Sequence, residues 1–377
     1  MNVLWFVADA LRRDYAFKMP YLQKWGKGAV RLDQHFAMSH CSDPNFLSLL
    51  TGAPPWVHQV YTQLEVKRNG INIQYEDYRG LQHELRKRFG HRSLMMGPTL
   101  PTIYLRGIDV VVPLGKDDHT FPGTRGLKQF MDEQQPWFAF VRTMDCHVPY
   151  YGGHYRRAVR YTDEIIFELF NWVEAHHPDT QIWFFSDHGE GLGEHGEQTH
   201  LSTLYDVLLR TPMYVKFPGC KAGLVVEEHT QHVDVPLTVL SLCGDGSHFG
   251  MGRDLAPLLR GGRVAEKLPV MWFAGDGAFR EKFWNWRAVR DDCYKYMVAV
   301  HIAEGPIFHL YDIRQDPKER VNLANDPQHA QTLQRYAGML AEQFEDWPRP
   351  GQENWTPPMS EAEAEILLER LKALGYA

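Results

Sequence analysis

The chain carries the sequence QIWFFSDHGE at residues 181–190. A mostly apolar run, 181–185, is followed by a serine and then by two side chains that bind metals well, Asp187 and His188. A short apolar run of this kind is typical of a buried strand in a parallel sheet. Side chains that follow such a strand emerge at its carboxyl end, the edge at which open α/β sheets bind ligands. The stretch therefore predicts an α/β fold with a metal site at one edge of the sheet.

Two further apolar runs end in the same way. Residues 2–8 (NVLWFVA) lead to Asp9, and residues 137–141 (WFAFV) lead, a few positions later, to Asp145 and His147. Each of these polar residues alone is as well explained as a turn former or a helix cap. Together they favour a divalent cation, because such an ion needs carboxylate oxygens and neutral imidazoles from several parts of the chain. These ligand types fit zinc, manganese, magnesium or calcium, so the choice of metal stays open.

A candidate nucleophile, Ser42, lies in the sequence SHCSDPNFLSLLTG at residues 39–52. Pro44 suits the first turn of a helix, and Gly52 suits its end. Ser42 would then lie just before a helix amino terminus, where free amides and the helix dipole favour an anion. A hydroxyl bound to a cation there can attack phosphorus or sulfur. The alternative interpretation is that Ser42 or Asp43 only caps the helix.

Several segments together resemble the sulfatase family of the alkaline phosphatase superfamily. They occur in the family's order and extend over nearly the whole chain, from Met1 to Tyr376. The segments are VADALRRDY (7–15), SDPNFLSLLTG (42–52), MDCHVPYY (144–151), FFSDHGEGLGEHGEQTH (184–200), LYDVLLRTPMYVKFPG (204–219), LYDIRQDPKERVNLANDP (310–327) and ERLKALGY (369–376). The fourth and sixth of these are the most specific to the family.

The resemblance implies an α/β fold, a three-layer α/β/α alkaline-phosphatase-like sandwich with a smaller C-terminal α+β subdomain. It also implies an enzyme, a hydrolase acting on phosphoric or sulfuric ester bonds. Glycine and charge interrupt the apolar pattern near residue 260, so we predict a catalytic domain at 1–260 and a subdomain with a short antiparallel sheet at 261–345. An extended tail and a terminal helix would follow at 346–377. Within the subdomain, the pattern predicts strands at Lys267–Ala274 and Trp286–Val300.

The resemblance also implies which residues form the site. One divalent cation would be held by a set of four residues: Asp9, Ser42, Asp187 and His188. His147 and His200 are similar in position to the groups that bind the transferred oxyanion or assist the leaving group. The predicted catalytic residues are therefore Ser42, His147 and His200.

A second metal or a substrate contact is the other role open to the histidines. The set implied for it is Asp145, His147, His195 and His200. His195 is equally well explained as a solvated loop residue. The prediction is thus one cation site, with a second left open.

Two departures from the family pattern bear on the reaction. Family members that use formylglycine carry Cys or Ser, any residue, Pro, Ser and Arg, whereas residues 42–46 place Phe46 at the position of the arginine. Cys41 lies one place too early for that pattern. The lysine that the family places after its next strand is also absent from residues 92–99. An unmodified serine with Asp and His ligands is more typical of the superfamily's phosphoesterase and phosphodiesterase branches.

We therefore predict a metal-dependent hydrolase that cleaves a phosphate monoester, diester or phosphonate ester with Ser42 as nucleophile. One alternative is a sulfatase, a sulfate-ester hydrolase that uses formylglycine at Ser42 or Cys41. The other is a catalytically inactive metal-binding homologue.

Composition limits the partners. A formal charge of −7 offers no broad basic surface, which argues against nucleic acid and leaves a small anionic ester as the expected substrate. No apolar run approaches the roughly 20 residues needed to cross a bilayer, so we expect no membrane insertion. Met1 leads straight into the first strand without a signal-peptide pattern, and the five cysteines are scattered, so we expect a cytoplasmic protein. A homo-oligomer stays open.

Overall fold

The computed structural model describes residues 1–62, 79–97, 102–113, 123–196, 198–200, 203–264, 268, 270–279, 282–301, 303–345, 347–352 and 360–373. Its strands are β1 (Asn2–Ala8), β2 (Val30–Leu32), β3 (His35–Phe36), β4 (Arg92–Gly97), β5 (Val110–Pro113), β6 (Trp137–Thr143), β7 (Thr180–Phe185), β8 (Met213–Lys216), β9 (Val225–Val226), β10 (Thr230–Gln231), β11 (Met271–Phe279), β12 (Lys282–Arg290), β13 (Tyr294–His301) and β14 (Gly305–Asp312). Its helices are α1 (Arg13–Ala16), α2 (Pro20–Gly26), α3 (Ser42–Thr51), α4 (Pro55–His58), α5 (Leu81–Phe89), α6 (Thr102–Leu105), α7 (Arg125–Glu133), α8 (Tyr155–His176), α9 (Asp206–Leu209), α10 (Asp234–Cys243), α11 (Ala256–Leu259), α12 (Ala330–Gln343) and α13 (Glu361–Ala373).

The central sheet has the strand order β5-β4-β6-β1-β7-β8-β2-β9 in the described part of the chain. The three predicted apolar strands are β6, β1 and β7, which are parallel neighbours in its middle. Their carboxyl ends are level, because Ala8 pairs with Thr143 and Val7 pairs with Phe185. The residues that follow the three strands therefore meet at one edge of the sheet, as the sequence predicts.

The two faces of β1 show why the fold has three layers. Val3, Trp5 and Val7 belong to one apolar core, which α3, α5 and α10 cover. The alternate residues Leu4, Phe6 and Ala8 belong to a second core, which α2, α7 and α8 cover. Since successive side chains of a strand point to opposite faces, a strand that is apolar at every position needs helices on both sides. The predicted three-layer sandwich is confirmed.

The C-terminal part contains an antiparallel sheet of order β11-β12-β13-β14. One of its faces packs on the main domain around Phe36 and Leu209, and α12 covers the other face. Buried Lys295 of β13 joins this sheet to the main domain, because its Nζ lies 2.7 Å from a carboxylate oxygen of Asp206 and 2.7 Å from one of Glu319. The α+β subdomain is thus as predicted, whereas the exact domain limits stay a prediction.

The two strands predicted for this sheet need correction. Trp286–Val300 is not one strand, because the chain reverses at residues 291–293 between β12 and β13. The Asp291 carboxylate accepts hydrogen bonds from the backbone N–H groups of Cys293 and Tyr294, at 2.7 and 2.8 Å, and this stabilises the turn. The first strand begins at Met271 and runs to Phe279, while residues 265–267 and 269 lie outside the described part.

The last helix, α13, lies against β11 and β12. The last four residues of the predicted tail and terminal helix, 374–377, fall outside the described residues. Among the helices that the structure describes, none is both long and apolar enough to span a bilayer.

Candidate active site

The ends of β1 and β7 bring three metal-binding side chains together. One ligand atom from each of Asp9, Asp187 and His188 lies within 4.8 Å of the other two, and all three residues are fully buried. Nε2 of His188 is 3.7 Å from Oδ1 of Asp9 and 3.6 Å from Oδ2 of Asp187. Nδ1 of His188 donates to the carbonyl of Gly189, at 2.8 Å, so in the neutral ring the lone pair of Nε2 faces the two carboxylates.

The same three residues fit a divalent cation. Oδ1 of Asp9 and Oδ2 of Asp187 are buried without a hydrogen-bond partner among the described residues, a costly arrangement unless a cation binds them. Burial raises the pKa of Asp187, and the charge of Asp9 raises it further. Burial alone would lower the pKa of His188, but the carboxylates of Asp187 and Asp9 raise it. Both shifts show that the pocket concentrates negative charge and favours a positive ion.

Ser42, the first residue of α3, points its hydroxyl into this group. Its Oγ lies 3.3 Å from Oδ2 of Asp9 and 3.3 Å from Nε2 of His188. The preceding residue, Cys41, is the extended N-cap of the helix and is fully buried. Burial raises the pKa of the Cys41 thiol well above its usual range. The hydroxyl of Ser42 is therefore the nucleophile candidate that contacts the metal-binding residues.

Arg142, a residue that the sequence did not single out, also contacts Ser42. This residue of β6 is buried, and its Nη2 is 3.1 Å from Oγ of Ser42. Its Nε donates to Oδ2 of Asp9 at 2.8 Å, and its Nη2 donates to the same oxygen. Burial alone would raise the pKa of Asp9, but Arg142, His147 and His188 hold it well below its usual range. An arginine next to the end of a central strand was the available signal in the sequence.

His200 and His147 lie beside the metal-binding group. The centre of the His200 ring is 4.3 Å from that of His188 and 4.8 Å from that of His147. Buried Glu190, a second overlooked residue, has its Oε1 3.0 Å from Nδ1 of His200. Burial raises the pKa of Glu190 to about 8 and lowers that of His200 well below its usual range. The proton between the two groups therefore stays on the Glu190 carboxyl group, which donates a hydrogen bond to Nδ1 of His200.

His147 carries its ring proton elsewhere. Its Nδ1 donates to the carbonyl oxygen of Val148 at 2.6 Å, and burial lowers its pKa to about 4. The imidazole is thus neutral, and its Nε2 carries no proton.

Asp145 and His195, the remaining members of the predicted second set, have different surroundings. Asp145 is buried in the turn after β6, where its backbone carbonyl accepts from the N–H of Tyr151 at 3.0 Å. His195 stacks on Tyr205 with the ring centres 3.7 Å apart. Within the described residues, neither joins the close metal-binding group. A second metal at Asp145, His147, His195 and His200 stays a prediction.

Two family models match the chain. The model of the sulfatases matches residues 79–245. The model of the C-terminal part of N-sulphoglucosamine sulphohydrolase matches residues 193–346. The first includes Asp187 and His188, and both include His200.

Curated proteins are similar over part of their length. The Δ4,5-hexuronate-2-O-sulfatase of Bacteroides thetaiotaomicron is 29% identical over 192 residues, which cover 50% of this chain and 39% of that protein. The multifunctional alkaline phosphatase superfamily protein PehA of Trinickia caryophylli is 33% identical over 176 residues, which cover 42% of this chain and 33% of that protein. The matched part thus spans less than half of either relative.

A solved structure with the same fold is the phosphonate monoester hydrolase of Agrobacterium radiobacter. The TM-score is 0.72 at 20% identity, over 91% of this chain and 95% of that one. At this identity the similarity shows the fold alone.

Proposed function

We propose that this chain, a member of the sulfatase family of the alkaline phosphatase superfamily, is a metal-dependent hydrolase. It cleaves a phosphate ester, with the unmodified Ser42 hydroxyl as nucleophile. The ester class comprises monoesters, diesters and phosphonate esters. The observation that carries the proposal is the position of Ser42 Oγ, 3.3 Å from both Asp9 and His188 at the carboxyl edge of the sheet. A small anionic ester is the partner that we propose for this site.

The residues that would hold the cation are Asp9, Asp187 and His188, with Ser42. A divalent cation bound there supplies Lewis-acid chemistry: it favours the alkoxide form of Ser42 and offsets charge on the phosphoryl oxygens. Ser42 accordingly enters the reaction as the alkoxide, its proton having passed to solvent.

The first step is an attack by Oγ of Ser42 on phosphorus. The Oγ–P bond forms while the bond from phosphorus to the leaving oxygen breaks, and the leaving oxygen accepts a hydrogen bond from Nε2–H of the neutral His200 ring and takes its proton from solvent. Glu190 makes that hydrogen bond possible, because its carboxyl group donates to Nδ1 of His200 across the 3.0 Å bond and keeps the ring proton on Nε2.

The second step is hydrolysis of the phosphoserine. A water molecule attacks phosphorus and gives one proton to solvent, and the Oγ–P bond breaks to restore the Ser42 alkoxide. His200 thus stabilises the leaving oxygen, and His147, whose Nε2 carries no proton, would accept a hydrogen bond from the attacking water.

A sulfate-ester hydrolase is the second candidate, favoured by the sulfatase among the curated relatives. It requires conversion of Ser42 or Cys41 to formylglycine. Against it stand Phe46 at the arginine position and the burial of Cys41. The intact mass of the peptide that contains both residues distinguishes the candidates, since formylglycine lowers it by a defined amount.

The function itself is tested by turnover. Purified protein, loaded in turn with Zn²⁺, Mn²⁺, Mg²⁺ or Ca²⁺, is assayed on nitrophenyl phosphate, bis-nitrophenyl phosphate, a nitrophenyl phosphonate and nitrophenyl sulfate. We expect turnover of a phosphorus ester, and loss of it in S42A with an unchanged circular dichroism spectrum. Full activity of S42A would remove Ser42 from the mechanism. Tight metal binding without turnover of any ester would favour a catalytically inactive homologue.

A further inference from the structure

We infer that Arg142 is a catalytic residue that binds both the nucleophilic oxygen of Ser42 and the oxygens of the transferred group. This inference rests on the proposed function, because it assigns a role within the same site. Arg142 brings a positive charge to Ser42, whereas α3, the helix that begins at Ser42, contains no basic residue.

The geometry around Ser42 places a guanidinium on the nucleophile itself. Nη2 of Arg142 lies 3.1 Å from Oγ of Ser42, within hydrogen-bond distance of the atom that would attack. The same group bonds Oδ2 of Asp9, so that Arg142 and the metal-binding Asp9 flank one hydroxyl. A guanidinium stays protonated under all ordinary conditions, which makes it a permanent positive charge beside a developing alkoxide.

Phe46 explains why the guanidinium can occupy this position. The central carbon of the guanidinium lies 4.8 Å from the centre of the Phe46 ring, one helical turn after Ser42. A planar cation over an aromatic face is held by attraction to the ring electrons and by packing. An aromatic residue at position 46 is therefore compatible with a charged site, because Arg142 lies against its ring and brings a positive charge to Ser42 from β6.

Unused donors of Arg142 point to an anion. In the part of the chain that the structure describes, its hydrogen bonds run from Nε and Nη2, to Asp9 and Ser42. Its Nη1 donates to none of the described residues and, unlike the fully buried atoms without a partner, keeps some exposure to solvent. A guanidinium whose Nη2 donates to Asp9 and Ser42 keeps the two hydrogens of Nη1, which can donate to an oxygen of a phosphoryl group.

The test compares R142A and R142K with the control R160A. Arg160 is exposed on α8, away from the site, so its loss controls for the removal of one positive charge. We expect kcat of R142A to fall by about 10²- to 10³-fold, with an intermediate loss in R142K and wild-type activity in R160A. Added guanidinium ion should restore part of the activity of R142A. Circular dichroism checks that each variant is folded. If R142A does not fold, the wild type is compared with R142K instead.

Two binding measurements separate catalysis from positioning. We expect R142A to bind orthovanadate at least about tenfold more weakly than the wild type does, and to bind Mn²⁺ as tightly as the wild type or more tightly, because a neighbouring cation repels the metal. Weaker Mn²⁺ binding with unchanged vanadate binding would overturn the inference, since Arg142 would then only position Asp9.

The result also separates this inference from the proposed function. If the wild type turns over an ester and R142A keeps full activity, the role of Arg142 is refuted while the proposed function stands. If the wild type turns over no ester, the proposed function fails, and vanadate titration still decides whether Arg142 binds an anion. If the wild type fails to bind vanadate as well, both are wrong.

Discussion

The backbone carbonyl of Asp187 accepts a hydrogen bond of 2.9 Å from Nε2 of His232. Nδ1 of His232 accepts in turn from Nε2 of His35, at 2.9 Å, and Nδ1 of His35 accepts from the hydroxyl of Thr230, also at 2.9 Å. A carbonyl oxygen can only accept, so it determines which nitrogen carries the proton in both rings. This buried chain of bonds fixes the backbone of Asp187, one of the proposed metal ligands.

Loss of His232 should therefore weaken both the fold and the metal site. H232A leaves the backbone carbonyl of Asp187 and the ring Nε2–H of His35 buried without their partner. We therefore expect the free energy of unfolding to fall by about 2–4 kcal/mol. Mn²⁺ affinity should fall about tenfold. Urea unfolding in chelator and a Mn²⁺ titration measure the two effects, with exposed His248 as the control in H248A. Unchanged Mn²⁺ affinity in H232A would show that the metal site does not depend on this chain of bonds.

The same pair of histidines should make the protein sensitive to acid. Burial lowers the pKa of His232 to about 4 and that of His35 well below its ordinary value of 6.5. Both rings stay neutral in the folded state, while the unfolded chain binds protons from about pH 6.5 downwards. Stability is therefore complete above pH 6.5 and falls as the pH drops towards 4, by about 3 kcal/mol for His232 alone. Urea unfolding of chelated protein between pH 4.5 and 7.5 measures the slope, which should be smaller in H232Q.

Replacement of Asp187 should separate stability from metal binding. In D187N the buried pocket loses one of two mutually repelling carboxylates, so the chelated protein should be as stable as the wild type or more stable. Its Mn²⁺ affinity should fall by at least about 100-fold, because a charged ligand is lost. Thermal unfolding with and without Mn²⁺ tests both statements, and E133Q, an exposed change on α7, is the control. Retained stabilisation by Mn²⁺ in D187N would exclude Asp187 as a ligand.

Two changes at Glu190 should differ in effect. The amide of E190Q can donate to Nδ1 of His200 as the protonated carboxyl group does, so we expect kcat within about tenfold of the wild type. E190A leaves His200 without that partner, and kcat should fall by about 10- to 100-fold. Steady-state kinetics on the best phosphorus ester compares them. Equal losses in the two variants would mean that a negative charge at position 190 is required.

Gly189 should tolerate no side chain. A Cβ built there would lie 2.0 Å from the backbone carbonyl oxygen of Val207, while the N–H of Gly189 bonds the carbonyl of Leu208 at 2.7 Å. We expect G189A to displace the adjacent His188 and to abolish Mn²⁺ binding, or to prevent folding. G126A on α7, where a Cβ meets nothing within 4 Å, is the matched control and should be neutral or slightly stabilising. Normal Mn²⁺ binding in G189A would show that the close approach at Val207 is not needed.

The sequence alone determined the strands and the edge at which the site forms. Apolar runs such as 181–185 are buried because of their composition, and parallel neighbours present the residues after their carboxyl ends at one edge of the sheet. For that reason the sequence was enough to group Asp9, Asp187 and His188, and to place Ser42 at a helix start. The break at Asp291 was missed because charged and apolar residues alternate on both sides of it, although three consecutive charged residues, 290–292, interrupt the alternation at the turn.

The tertiary structure decided which groups surround Ser42. Nothing in the sequence singled out Arg142, because its partners Asp9, Ser42 and Phe46 are distant in sequence and only packing brings them within contact. The Glu190–His200 bond and the His35–His232 bond depend in the same way on loops that fold against each other. Local composition fixes burial and direction along a strand, whereas the distances that set charge and proton positions arise only when the sheet, α3 and the loops pack together.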